Sequence, residues 1–243
     1  METWGKECDF HDIQNIFTDE MTLMFGGFGG VGSPPNLIDF ILELGIKDLT
    51  IIGNDTGFPT IGIGKLVANH RVKKVVASHI GSNPIAGALK EKGEMEIEFS
   101  PQGILAERIR AGGVGLGGIV THIGVDDPLL SSGKEKVVVN GQSLLVETAL
   151  TADVSIVYSK KADLFGNLVY DKSARNTNPL VAMAGNITIA EVEEIVPIGD
   201  LAPEEIVTSG VFVNSILHSK GVTWEWMWEQ TGKQSLPNEQ LKK

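Results

Sequence analysis

Apolar positions along this chain recur with two different periods, and the alternation between them predicts its elements. Phe10, Ile13, Ile16 and Phe17 lie on one helical face behind Asp9, which suits a capping position. Thr22–Phe25 reads as a short buried strand running into Gly26-Gly27-Phe28-Gly29-Gly30-Val31-Gly32. Ser33 and Pro34 suit the N-cap and first turn of a helix carrying Leu37, Ile38, Ile41 and Leu42, which Gly45 ends. Leu49–Ile52 and Val72–Ala77 are the next two strands. Met95, Ile97 and Phe99 then alternate with Glu94, Glu96 and Glu98, the period-two pattern of a half-buried strand at a sheet edge.

A helix over 104–110 follows Pro101-Gln102-Gly103 and closes at Gly112. Lys136–Val139 and 144–146 flank Asn140-Gly141, the dipeptide that suits a type I′ hairpin turn. Further strands are predicted over 154–158, 168–170 and 187–190. Strands alternating with helices imply an α/β fold: an open, mostly parallel sheet flanked by helices, with the hairpin as an antiparallel insertion. No linker composition and no internal repeat divides the chain, so 1–220 is read as one domain, followed by a tryptophan-containing tail over 221–243. In open parallel sheets ligands sit beyond the carboxyl ends of the strands. The GGFGGVG, GNDTG and SPQG loops are therefore expected to converge there.

Composition narrows the chemistry. A net charge of −11 over 243 residues disfavours nucleic acid, whose phosphates require basic surface. It leaves open a small anionic ligand bound by backbone N–H groups. The single cysteine, Cys8, cannot close an internal disulfide, no apolar run reaches the length of a membrane span, and the amino terminus lacks a signal-peptide pattern. A cytoplasmic protein is expected. Glycine, at 29 residues, clusters at 26–32, 53–64 and 112–118. Such clusters serve either tight turns or close approach of backbone to a ligand.

The 26–32 loop, between a strand and a helix, has the form of a phosphate cradle with free N–H groups and no obstructing side chains. Gly27, Gly29 and Gly32 also satisfy the dinucleotide pattern G-x-G-x-x-G, with Asp55 slightly late for the acidic residue that would hold the ribose. An NAD-binding oxidoreductase is thus one reading, and a stand-alone sugar-phosphate-handling protein of related fold another. His79 and His122 have no companions at metal-ligand spacing, so no metal site is expected.

Four blocks, in order, carry a more specific signal: GGFGGVGSPPNLIDFILELGIKDLTIIGNDTG, GIGKLVANHRVKKVVASHIGSNP, GEMEIEFSPQGILAERIRAGGVGLGG and DLFGNLVYDKSARNTNPL. Together they resemble the α subunits of family I (3-oxoacid) CoA-transferases, similar to the acetate/butyrate–acetoacetate enzymes, over residues 21–217. The resemblance implies coenzyme A as a substrate, no permanently bound cofactor, short-chain carboxylic acids as co-substrates, and a β subunit as partner in an α2β2 assembly. In that family the nucleophile is a glutamate in a Glu-Asn-Gly context on the β subunit, and this chain contains no Glu-Asn-Gly. Its own glutamates, such as Glu94, Glu96, Glu98, Glu191, Glu193 and Glu194, are read as solvated faces.

By the same resemblance, Gly26, Gly27, Phe28, Gly29, Gly30, Val31 and Gly32 form the CoA-binding segment. Asn54 matches a side-chain amide of the oxyanion hole, and Gln102 a residue contacting substrate or pantetheine. Turn formation by Asn54 and helix capping by Gln102 are the structural alternatives. Arg175, in Ser173-Ala-Arg-Asn176, is read as a structural ion pair. Relatives often carry Thr-Pro-Thr-Gly where this chain has Thr121-His-Ile-Gly124, in a loop that helps shape the acyl pocket. Trp224, Met227 and Trp228 share a helical face in the tail, which is expected to pack on a partner or back on this chain.

Overall fold

Strand residues of this chain alternate between two apolar cores, and that alternation builds the architecture. In the computed structural model, which describes residues 5–221, the strands are β1 (Thr22–Phe25), β2 (Leu49–Ile52), β3 (Val72–Ala77), β4 (Glu96–Phe99), β5 (Gly118–Thr121), β6 (Lys136–Val139), β7 (Gln142–Thr148), β8 (Ala152–Asp163), β9 (Leu168–Val169), β10 (Gly185–Val196) and β11 (Ser215–His218). The helices are α1 (Phe10–Ile13), α2 (Pro35–Glu43), α3 (Gly64–Ala68), α4 (Pro84–Glu91), α5 (Gln102–Gly113), α6 (Pro128–Ser131) and α7 (Asn178–Ala184). The main sheet runs β11-β10-β8-β1-β2-β3-β4 with all neighbours parallel, and β9 pairs antiparallel with β8.

Leu23, Phe25, Ile51, Val75 and Ile156 face one core, closed by Leu37, Ile38 and Ile41 of α2 and Leu66 of α3. Met24, Ile52, Val76 and Val157 face the other, closed by Leu105 and Ile109 of α5 and Val181 of α7. Strands buried on both faces need apolar residues at every position, which is why β1 and β2 read as continuous runs. Each fully buried Leu, Ile or Val contributes about 1.5–3 kcal/mol, so the two layers together drive folding.

β4 is the edge strand that its alternation predicts, with Lys74 pairing Glu96 at 2.9 Å and Glu98 at 3.4 Å on the face that also meets α5. Asn140 (φ 52°) and Gly141 (φ 78°) make the predicted turn between β6 and β7, and β5 joins them in a separate antiparallel sheet. Buried Arg108 of α5 ties that sheet to the main one, donating to Glu98 of β4 at 2.9 Å and to the Thr148 carbonyl of β7 at 2.8 Å.

Several boundaries differ from the sequence expectation. Pro34, not Ser33, occupies the N-cap of α2, because the Ser33 hydroxyl donates to the Gly26 carbonyl instead. The helix expected at 104–110 already begins at Gln102. The strand expected at 154–158 extends to Asp163 because β10 pairs with it over almost its whole length. β11 carries too short an apolar run to announce itself. The Trp224–Trp228 segment lies outside the described residues.

Candidate functional site

The chain winds outward from β1 in two directions, through β2, β3 and β4 on one side and β8, β10 and β11 on the other. Loops leaving β1 and its neighbours therefore diverge, and the gap at their carboxyl ends is where an open parallel sheet accepts a ligand. Two tight turns line that edge. Phe28 and Val31 exchange both backbone hydrogen bonds, at 2.9 and 3.1 Å, around Gly29 (φ 59°) and Gly30 (φ 94°). One strand over, Phe58 and Ile61 form a bridge of the same kind, with the Ile61 N–H donating to the Phe58 carbonyl at 3.1 Å.

Each turn is flanked by glycines at positive φ, Gly27 and Gly32 around the first, Gly57 and Gly62 around the second. The shared pattern Gly-Phe-x-x-Val/Ile-Gly, 30 residues apart, is a local repeat that sequence reading passed over. The turns touch, since a Cβ on Gly30 would stand 3.1 Å from Ile61 Cγ2. Phe28 is left 53% exposed at the rim.

Asp55 joins the two turns. Its Oδ2 accepts from the Gly29 N–H at 2.8 Å and from Asn54 Nδ2 at 2.9 Å, while Oδ1 accepts from the Gly57 N–H at 2.8 Å. Asn54 is buried at the end of β2, and its Oδ1 accepts from the Ser78 hydroxyl at 3.1 Å. The Asn54 carbonyl lies 2.7 Å from the same hydroxyl, so its single proton is shared between the two oxygens. The amide is thus held at both ends with one N–H uncommitted among the described residues, the condition of a preorganised donor.

From the far side the loop is clasped by the segment after β9. Asn176 accepts from the Gly27 N–H at 3.2 Å and donates to the Val31 carbonyl at 2.8 Å. It does so in a sparsely populated backbone conformation, φ 22° and ψ −118°, a strain that the surrounding bonds sustain. Asn178, fully buried, accepts from the Tyr158 N–H at 3.1 Å and donates to the Gly32 and Ala174 carbonyls at 2.9 Å each.

The loop therefore departs from the open cradle expected of it. The N–H groups of Gly26, Gly27, Phe28, Gly29 and Val31 all donate within the protein. The start of α2 is also filled: buried Glu191 of β10 accepts from the N–H groups of Asn36 at 2.8 Å and Leu37 at 3.0 Å, and from the Ser219 hydroxyl at 2.7 Å. A dinucleotide site places pyrophosphate at that helix start and an acidic side chain on the ribose. Here a protein carboxylate occupies the first position, and Asp55 spends both oxygens on the loops. These contacts argue against the NAD-binding reading.

Glu191 also overturns its assignment to a solvated face, because it is fully buried. Burial pushes its carboxyl above the usual carboxylate range, against the Ser219, Leu37 and Asn36 bonds that favour the charged form. Its position inside the run Ile187-Thr-Ile-Ala-Glu-Val192 was the available signal: a charge in a strand buried on both faces demands a specific partner. Ser78, Asn176 and Asn178 carried no comparable signal.

Gln102 lies at the first position of α5, exposed, and makes no side-chain cap. It shares the carboxyl edge of the sheet with Asn54 but is separated from it by the β3 loop. So the 26–32 and 53–57 loops meet, and the Pro101-Gln102-Gly103 loop follows β4, two strands from β2. Arg175 is exposed and makes no ion pair among the described residues, which corrects its structural reading. The described residues include no group of three or more metal-ligating side chains, and no helix among them is long and apolar enough to cross a membrane.

A model of the coenzyme A transferase family matches residues 11–219. The chain is 58% identical over 211 residues to a probable coenzyme A transferase subunit alpha of Bacillus subtilis, covering 87% of this chain and 92% of that one. It is 47% identical over 213 residues to the acetoacetyl-CoA:acetate/butyrate CoA transferase alpha subunit of Clostridium acetobutylicum, covering 88% and 97%. Among solved structures, an acyl-CoA transferase of Escherichia coli O157:H7 in a thioester complex with CoA shares the fold at TM-score 0.82 and 22% identity. The match covers 90% of this chain but only 48% of that one, about half its length.

Proposed function

This chain belongs to the coenzyme A transferase family as an α-type subunit, and from that premise we propose that it binds CoA and polarises a carbonyl while a partner β subunit supplies the nucleophile. The observation that carries the proposal is the Asn54 amide, fixed by Ser78 and Asp55 with one N–H unspent at the carboxyl end of β2. A neutral amide can donate to a developing oxyanion without adding a charge that would pair with a nucleophilic carboxylate.

The reaction is a ping-pong exchange between acetate or butyrate and acetoacetate. The partner's glutamate carboxylate attacks the acyl-CoA carbonyl and expels CoA thiolate, leaving a mixed anhydride. The thiolate attacks the glutamyl carbonyl, releasing the first carboxylate and leaving a glutamyl-CoA thioester. The second carboxylate attacks that thioester, and the same steps in reverse yield the new acyl-CoA. At each attack a carbonyl oxygen gains negative charge, and the proposed role of Asn54 is to stabilise it.

The 26–32 segment offers CoA a surface whose apex, Gly29-Gly30, has no side chains, flanked by exposed Phe28. Gln102, exposed at the start of α5, is assigned to the substrate or pantetheine arm. An α2β2 assembly in the cytoplasm completes the reading. The identity to the acetate/butyrate enzyme supports the acyl pair, and the absence of Glu-Asn-Gly supports the need for a partner.

Expressed alone, the chain is expected to show no acetoacetate-dependent consumption of butyryl-CoA or acetyl-CoA. Co-expression with the adjacent β-like open reading frame should restore it, and changing that partner's glutamate to alanine should abolish it. Turnover by this chain alone would refute the division of labour and favour a stand-alone enzyme.

A further inference from the structure

We infer that Asp55 is a positioning residue that decides which face of the Asn54 amide is presented, and that it does so through the carboxylate that also joins the two tight turns. The inference rests on the proposed role of Asn54 as oxyanion donor. An amide side chain can be turned by 180° with little change of shape, exchanging its oxygen for its NH2 group. In the observed orientation Asn54 Nδ2 donates to Asp55 Oδ2 at 2.9 Å, and Asn54 Oδ1 accepts from Ser78 Oγ at 3.1 Å. A flip would set Asn54 Oδ1 against the Asp55 carboxylate, two acceptors at hydrogen-bond distance in a buried setting.

Ser78 cannot enforce this choice, because a hydroxyl accepts as readily as it donates. Asp55 can, because an ionised carboxylate only accepts. Its other bonds, from the Gly29 and Gly57 N–H groups at 2.8 Å each, hold the carboxylate in place and tie it to the turns after β1 and β2. The orientation of the proposed donor is therefore fixed by the same group that shapes the glycine loop.

Asp55→Asn keeps the volume but has a single acceptor oxygen for donors that now approach both. Whichever way its amide turns, an NH2 group meets at least one N–H: with the NH2 toward Gly29 and Asn54 the penalty against the flipped Asn54 is lost, and with the oxygen there the Gly57 N–H is opposed and the carboxylate's hold on the turn is weakened. The test uses the α chain co-purified with its partner subunit. Asn54→Ala should lower kcat by about 100-fold, the usual loss of one oxyanion donor. Asp55→Asn should lower kcat by roughly tenfold or more. In the Asn54→Ala background it should lower kcat at saturating CoA by no more than about twofold further, because its effect on kcat passes through the amide it orients, whereas a disturbed glycine loop is read in the KM for CoA.

Multiplying losses in the double variant, or a kcat for Asp55→Asn within about twofold of the parent, would overturn the inference. If Asp55→Asn does not assemble with the partner, Asp55→Glu in the same cycle replaces it, and independent losses there refute the idea equally. If Asn54→Ala is itself harmless, the proposed donor is wrong and the inference falls with it. If Asn54→Ala is damaging and Asp55→Asn is not, only the positioning role fails.

Discussion

Gly26→Ala should destabilise the folded chain by about 3–6 kcal/mol, measured as a fall in the denaturant midpoint at unchanged slope. A Cβ at this position would overlap Asn178 Oδ1, and there is no soft neighbour to yield. Asn178 is fully buried and uses its amide at both ends, accepting from the Tyr158 N–H and donating to the Gly32 and Ala174 carbonyls. Displacing it strands two or more buried polar groups at about 1–3 kcal/mol each, and the glycine loop loses its clasp.

Gly29→Ala in the same loop provides the contrast. Its added Cβ would meet nothing within 4 Å, so only the left-handed backbone at φ 59° is penalised, by about 1–2 kcal/mol. Equal losses for the two variants would show that backbone conformation, not the Asn178 contact, sets the requirement for glycine at 26.

The second large effect concerns Glu191. Burial raises its carboxyl above the ordinary value of 4.5. A group whose pKa is raised on folding contributes stability that is complete below the unfolded value and is lost as pH rises through the folded one. The parent chain should therefore lose stability from this group as pH rises from about 4.5 upward. Glu191→Gln stays neutral and can still accept from Asn36 and Leu37, so it should flatten that slope and match or exceed the parent at neutral pH. Glu191→Ala should also lose the slope but lie about 2–4 kcal/mol below Glu191→Gln at every pH, because the first N–H groups of α2 are left without an acceptor in a buried setting. Denaturation of the three proteins between pH 5 and pH 8, at fixed ionic strength, separates these outcomes. A Glu191→Gln slope identical to the parent would refute the assignment.

Both predictions depend on residues that bridge long stretches of chain, and such residues are the hardest to read from sequence. Asp55 was legible as an acidic residue after a strand, which suggested a ribose contact. Only the folded chain places Gly29, 26 positions earlier, against its carboxylate. Asn176 and Asn178 stood inside a block whose arginine drew attention. The arginine proves exposed and unpaired among the described residues, while the two asparagines hold the loop.

What the sequence determined by itself was every property with a local cause. Continuous apolar runs made β1 and β2 strands buried on both faces. Alternation made β4 an edge, Asn140-Gly141 made the hairpin turn, and the order of strands and helices made the sheet parallel. The block pattern likewise pointed to the family that the comparisons established. Tertiary structure decided which polar groups satisfy one another across the sheet edge. A buried donor or acceptor must find a partner wherever the fold brings one within about 3 Å, and sequence distance places no limit on that choice. This is why the glycine loop is held by Asp55, Asn176 and Asn178, and why the start of α2 rests on Glu191, 155 positions away.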